Sequence, residues 1–267
     1  MAVRKRSADD SDDTSRSVRR KSIATLGLSS VPRQINVGKA EESKPFYIHD
    51  RILAKHSAHF AARIETEVSP GVKDEAEGIT IKADEDCKSE VSVKRLHSPD
   101  LPDQDPDIFD LFSTFVYSGH VCSERGGDLE DEEANRDAEW GRLARAWVLG
   151  RNIESTSFMD AVADAFVAKL QRDGSPGYSF TDLIEASPEG SPIRQLQADI
   201  VTYGMEPETY SEAFKQTEDV DFLRTLATTL GLHQKVSKAE TKGYFGQCGC
   251  RYHSHVESNE PCYRTMF

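Results

Sequence analysis

Between Pro45 and Ile64 the hydrophobic pattern changes from the two-residue period of a strand to the period of a helix within five residues, which requires a mixed fold. Phe46, Tyr47 and Ile48 are strand formers, whereas Ile52, Leu53, Phe60 and Ile64 recur at helical spacing with Ser57 and Ala61 between them. Asp50 stands where a helix N-cap is wanted. The stretch therefore predicts a strand that turns directly into one helix over 50–64. A second strand at Ile35–Val37, joined to the first by the polar stretch Gly38–Pro45, gives that strand a neighbour.

The rest of the chain follows in order. Met1 to Ser30 is rich in Ser, Asp and Arg and lacks apolar periodicity, so residues 1–33 read as a disordered arm. Within it Arg4-Lys5-Arg6 and Arg19-Arg20-Lys21 are spaced like a bipartite nuclear-import signal. Ile79-Thr80-Ile81 alternates as a short accessory strand, and Val91, Val93 and Leu96 mark a third main strand. The next helix is signalled in full. Asp105 is placed to cap it and Pro106 to begin it. Ile108, Leu111, Phe112, Phe115 and Val116 form one face, and Gly119 is suited to stop it. Two further helices carry Trp140, Leu143, Ala144, Trp147 and Val148, then Phe158, Val162, Phe166 and Leu170. Past Gly174–Gly177, Ser191 and Pro192 open a helix with Ile193, Leu196 and Ile200 inward; Phe222, Leu223, Leu226 and Leu230 mark another.

The net charge of −13 is concentrated in two places. Residues 65–90 and 124–139 each carry −6, and both read as solvated acidic insertions. So acidic a chain is a poor partner for a phosphate backbone, and nucleic-acid binding is not expected. There is no apolar run of about 20 residues and no secretory leader pattern, so the expected location is nucleus or cytoplasm, away from membranes. In such a reducing compartment five cysteines, three within the last twenty residues, argue for thiols or a metal over a disulfide framework.

That tail, 236–267, contains Cys248-Gly-Cys250-Arg-Tyr-His253-Ser-His255 and then Cys262. Cys250, His253, His255 and Cys262 would supply a Cys2His2 set for zinc. The spacing lacks the roughly twelve residues that a DNA-reading finger places between its Cys and His pairs. Ordinary thiols and histidines in a partly ordered tail account for the same residues, and both readings stand at this point. His49 and Ser57 lie in no catalytic spacing, and there is no phosphate-cradling glycine loop and no HExxH, so no enzymatic activity is expected.

Two blocks of this sequence resemble signatures of the BTB/POZ domain. Phe46, His49, Leu53, Ser57 and Phe60 match the pattern Phe-x-Val-His-x-x-x-Leu-x-x-x-Ser-x-x-Phe. Phe109, Phe112, Tyr117 and Gly119 fall in a second block, where Ser118 replaces the commoner Thr. The tryptophan helix and its successor resemble the closing helical hairpin, with Leu149-Gly150-Arg151 near the family's Ala-Asp-Lys. Together these cover about half the chain, and the acidic insertions make it most similar to BTB proteins of filamentous fungi. The resemblance implies an α+β fold: a small β-sheet covered by helices over 34–172, followed by a helical extension over 173–235. It implies protein–protein recognition: self-association, an adaptor or substrate receptor for a cullin-family ubiquitin ligase, or corepressor recruitment. An alternative is a nuclear regulatory protein with a zinc-binding tail. The segment ahead of the first strand offers only Leu26, Leu28 and Val31 as apolar contacts. A monomer or a weaker dimer stays open on this reading, but a fully swapped dimer, in which a helix ahead of the first strand packs across the two-fold, is not expected.

Overall fold

The computed structural model describes residues 28–39, 41–68, 100–124, 132–174, 181–205, 217–233, 245 and 249–267. The basic clusters of the N-terminal arm, the accessory strand at 79–81 and the third strand around 91–96 lie outside the described residues, as does Cys248. What is described is mainly helical, with a two-stranded antiparallel sheet, an α+β arrangement at that coarse level.

Strand β1 (Pro32–Val37) pairs with β2 (Lys44–His49) so that Ile35 faces Phe46 and Pro32 faces His49. Ile35, Val37 and Ile48 enter the core, and a parallel bridge from Val37 to Leu101 continues the sheet on the β1 side. The expected single helix over 50–64 is two helices: α1 (Asp50–His56) and α2 (Ala58–Val68), with an extended Ser57 between them. Asp50 is also not the cap. His49 holds the cap position without a side-chain cap bond, and Asp50 is the first helical residue, its carboxylate paired with Arg33 Nε at 2.7 Å. The break arises because the Ser57 hydroxyl has two better partners than a continuous helix offers. It donates to the Ile153 carbonyl (2.5 Å) and accepts the Phe60 N–H (3.2 Å), which makes Ser57 the cap of α2.

Helix α3 (Pro106–Ser118) follows its sequence signals closely. Asp105 accepts the Asp107 N–H at 2.9 Å, and Gly119 ends the helix at φ +76°. The apolar face of α3 is fully buried and carries an aromatic cluster. Phe112 lies 5.3 Å from Phe158, 5.5 Å from Phe109 and 6.4 Å from Phe60, centroid to centroid.

Helices α4 (Glu132–Asn152) and α5 (Thr156–Asp173) form an antiparallel hairpin. Here the acidic insertion at 124–139 needs correction, because its second half is the start of α4. Glu139 is buried, accepting from Lys169 Nζ (2.7 Å) and the Ser123 hydroxyl (2.6 Å). Burial alone would raise its carboxyl, but those hydrogen bonds hold it below the usual carboxylate range. A charge that read as solvated is a core tie.

Beyond the hairpin come α6 (Thr181–Ala186), α7 (Pro192–Gly204) and α8 (Val220–His233). Ser191 stands at the cap position of α7 without making a cap bond. Helix α7 is buried on two faces. Ile193, Leu196 and Ile200 join the main core, while Ala198 and Val201 pack with Phe222 and Leu226 in a smaller cluster. Arg194 locks this corner, donating to the Ile184 carbonyl (2.9 Å) and to Asp219 (2.8 Å). The main core runs without interruption from Ile35 into the extension and on to Phe245 and Tyr252.

Two outcomes test this packing. Phe60 is completely buried, so Phe60→Ala should cost about 3–5 kcal/mol in denaturant unfolding. His56 is buried between Phe115 and Phe267, and burial followed by the nearby Lys55 charge lowers its pKa to about 4. The fold thus holds His56 neutral, whereas the unfolded chain takes up a proton near pH 6.5. Its contribution, roughly 3 kcal/mol, is whole above pH 6.5 and is lost as pH falls toward 4. Urea midpoints measured across that window should fall less for His56→Gln than for the parent chain.

Candidate metal centre

The described stretch 249–267 includes a turn in which the His253 N–H donates to the Cys250 carbonyl at 3.1 Å. It continues through a short helical turn, α9 (His255–Ser258), and a 3-10 turn at Tyr263–Thr265. Chain reversal after Asn259, which adopts a left-handed φ of +60°, carries Cys262 back to the others. The result is that Cys250, His253, His255 and Cys262 each present a ligand atom, all within 4.8 Å of one another. The structure thus brings together all the site residues expected from the sequence. Among the described residues Cys122 is the cysteine left out, exposed after α3.

Two of the donor spacings are close to those around a tetrahedral ion, within a set whose separations reach up to 4.8 Å. Zinc–sulfur bonds of about 2.3 Å put two thiolates roughly 3.8 Å apart. Cys250 Sγ and Cys262 Sγ are 3.9 Å apart, and Cys262 Sγ to His253 Nδ1 is also 3.9 Å. The histidines are buried, at 1% and 8% exposure, whereas both cysteines are half-buried, so the sulfur side faces outward. Burial, then the neighbouring Cys262, pushes the Cys250 thiol up, and a cation between the sulfurs would favour the thiolates.

What the sequence reading missed is the floor of the site. Asp160 and Asp164 lie one turn apart on α5, opposite the face that carries Phe158 and Val162 into the core. Asp160 accepts from His255 Nδ1 (2.5 Å) and from the Ser254 N–H (2.5 Å). Asp164 accepts from His253 Nε2 (2.9 Å), the Tyr263 hydroxyl (2.5 Å) and Arg264 Nη2 (2.7 Å). Burial, the largest influence, raises the Asp160 carboxyl. At Asp164 burial acts the same way but is outweighed by hydrogen bonds from His253 and Tyr263, so that carboxyl is lowered. A signal was present in Phe158-Met-Asp-Ala-Val-Ala-Asp-Ala-Phe166, where two acids interrupt an apolar helix and call for partners. Nothing local says that the partners lie some ninety residues away.

The described part of the tail, 249–267, is docked on the body of the chain. Tyr252 donates to Asp199 of α7 at 2.6 Å, and Arg251 pairs with the same carboxylate at 3.3 Å. At the far end Phe267 stacks on His56 (5.2 Å), and Lys55 Nζ donates to the Met266 carbonyl at 3.1 Å. Phe267 also sits where a Cβ on Gly119 would lie, 2.7 Å from its Cγ.

His49 and Ser57 occupy structural positions. The Tyr117 hydroxyl lies 2.9 Å from His49 Nδ1 and takes the His49 N–H at 3.2 Å. Compared with known proteins, the chain matches no family model and no curated protein.

Proposed function

We propose that this chain is a protein–protein interaction module of the BTB/POZ kind without chemistry of its own, acting as an adaptor or substrate receptor for a cullin-family ubiquitin ligase. The reading is carried by one observation: residues from the two resembling blocks meet each other in space. Phe46 packs on Phe109 at 4.9 Å, His49 hydrogen-bonds Tyr117, and Phe60 stacks on Phe112. Signature residues that touch act as one packing unit, and a shared packing unit is what a domain signature records. No helix among the described residues is long and apolar enough to cross a membrane. Light scattering of the purified chain mixed with a cullin N-terminal domain is the direct test. A stoichiometric complex supports the adaptor reading; two independently eluting species overturn it.

We further propose that Cys250, His253, His255 and Cys262 hold one zinc ion. Four protein donors complete its tetrahedron and leave no open position for a substrate, so the ion is structural. It would supply a crosslink in place of a disulfide, which suits the reducing compartment expected for this chain. Metal analysis of the reduced protein should give one zinc per chain, lost in the Cys250→Ser, Cys262→Ser double variant. No zinc, or zinc unchanged in that variant, overturns the assignment.

A further inference from the structure

The two histidines of the cluster are held in opposite senses. His253 gives Nε2 to Asp164 and turns Nδ1 toward Cys262, whereas His255 gives Nδ1 to Asp160. A neutral imidazole has one N–H and one lone pair, so the nitrogen that donates to a carboxylate decides which one is left for a metal. The acid pair on α5 thereby selects Nδ1 of His253 and Nε2 of His255 as ligand atoms. Neither choice is made by the tail itself. Asp160 is completely buried, and its carboxylate also takes the Ser254 N–H at the start of α9. The orientation is thus built on a helix whose other face is the domain core.

Resting on the zinc assignment above, we infer that the metal centre is shared between tail and body. Asp160 and Asp164 are positioning residues for zinc, and zinc uptake fastens the tail to α5 and, through Tyr252 and Arg251 on Asp199, to α7. Three features support the coupling. Carboxylates that receive the second N–H of ligating histidines fix ring orientation and raise ligand basicity. The ligand His253 directly follows Tyr252, so the loop that a metal would close is the same loop that reaches Asp199. Tyr252 also belongs to the main core, together with Phe245 and residues of α7. Among the described residues, then, losing the metal would release a contact that spans α5 and α7, beyond a surface strap.

The test uses the full-length protein and zinc alone. Competition against a chelator of known affinity should show about 10–100-fold weaker zinc binding in Asp160→Asn and in Asp164→Asn. A core variant on α2, Phe60→Leu, should lower stability yet keep zinc affinity within about twofold, which separates orientation of the ligands from general loosening. Should the Asp variants fail to fold, hydrogen exchange of the unmodified chain decides. Stripping zinc should raise exchange in 249–267 together with 192–204, while 32–37 stays protected. Parent-like affinity in both folded Asp variants overturns the inference and leaves the zinc site standing, as does an exchange increase confined to the tail. A parent chain that binds no zinc overturns the zinc assignment and this inference together.

Discussion

One hydroxyl does much to set the geometry of this fold. Ser57 breaks what its sequence would continue as a single helix, and its side chain reaches the carbonyl of Ile153 at the turn between α4 and α5. The next residue adds a second tie, as the Ala58 N–H donates to the Glu154 carbonyl at 3.1 Å. Because Glu154 has a positive φ of 51°, this turn is tight and depends on such partners. With α1 bent away from α2 at this point, Leu53 and Phe60 are both fully buried. The anchored turn leads into α5, on which the C-terminal segment docks.

How legible this was varies by element. Helix α3 could be read residue by residue, since cap, first-turn proline, apolar face and terminal glycine all lie within fifteen positions and act locally. The split at Ser57 could not, because both of the hydroxyl's competing partners belong to the folded state and one lies far along the chain. The metal ligands were readable as a set, because soft donors are rare and these crowd into one stretch. Their orienting carboxylates were not, although Asp160 and Asp164 were conspicuous on an apolar helix. Spacing reveals which groups share a face; it does not reveal what covers that face.

The acidic character of the chain has two physical origins that composition merges. Some carboxylates keep the surface charged, but Glu139, Asp160 and Asp199 are buried and each answers to specific donors. Buried charges of this kind add little net stability when paired and cost several kcal/mol when a partner is removed. Lys169, itself buried beneath Trp140 and bridging Glu139 and Asp173, is the basic counterpart of this design inside the hairpin.

Gly119 joins two parts of the molecule through an atom it does not have. Its left-handed backbone closes α3, and the space beside it is taken by the ring of Phe267. Any side chain there would strain the helix end and, in the same stroke, unseat the last residues described. Helix termination and tail docking thus share one vacancy the size of a methyl group. The C-terminal segment is in that sense keyed to the fold at both ends: by charge and donor atoms at Asp160 and Asp164, and by bare shape at Gly119.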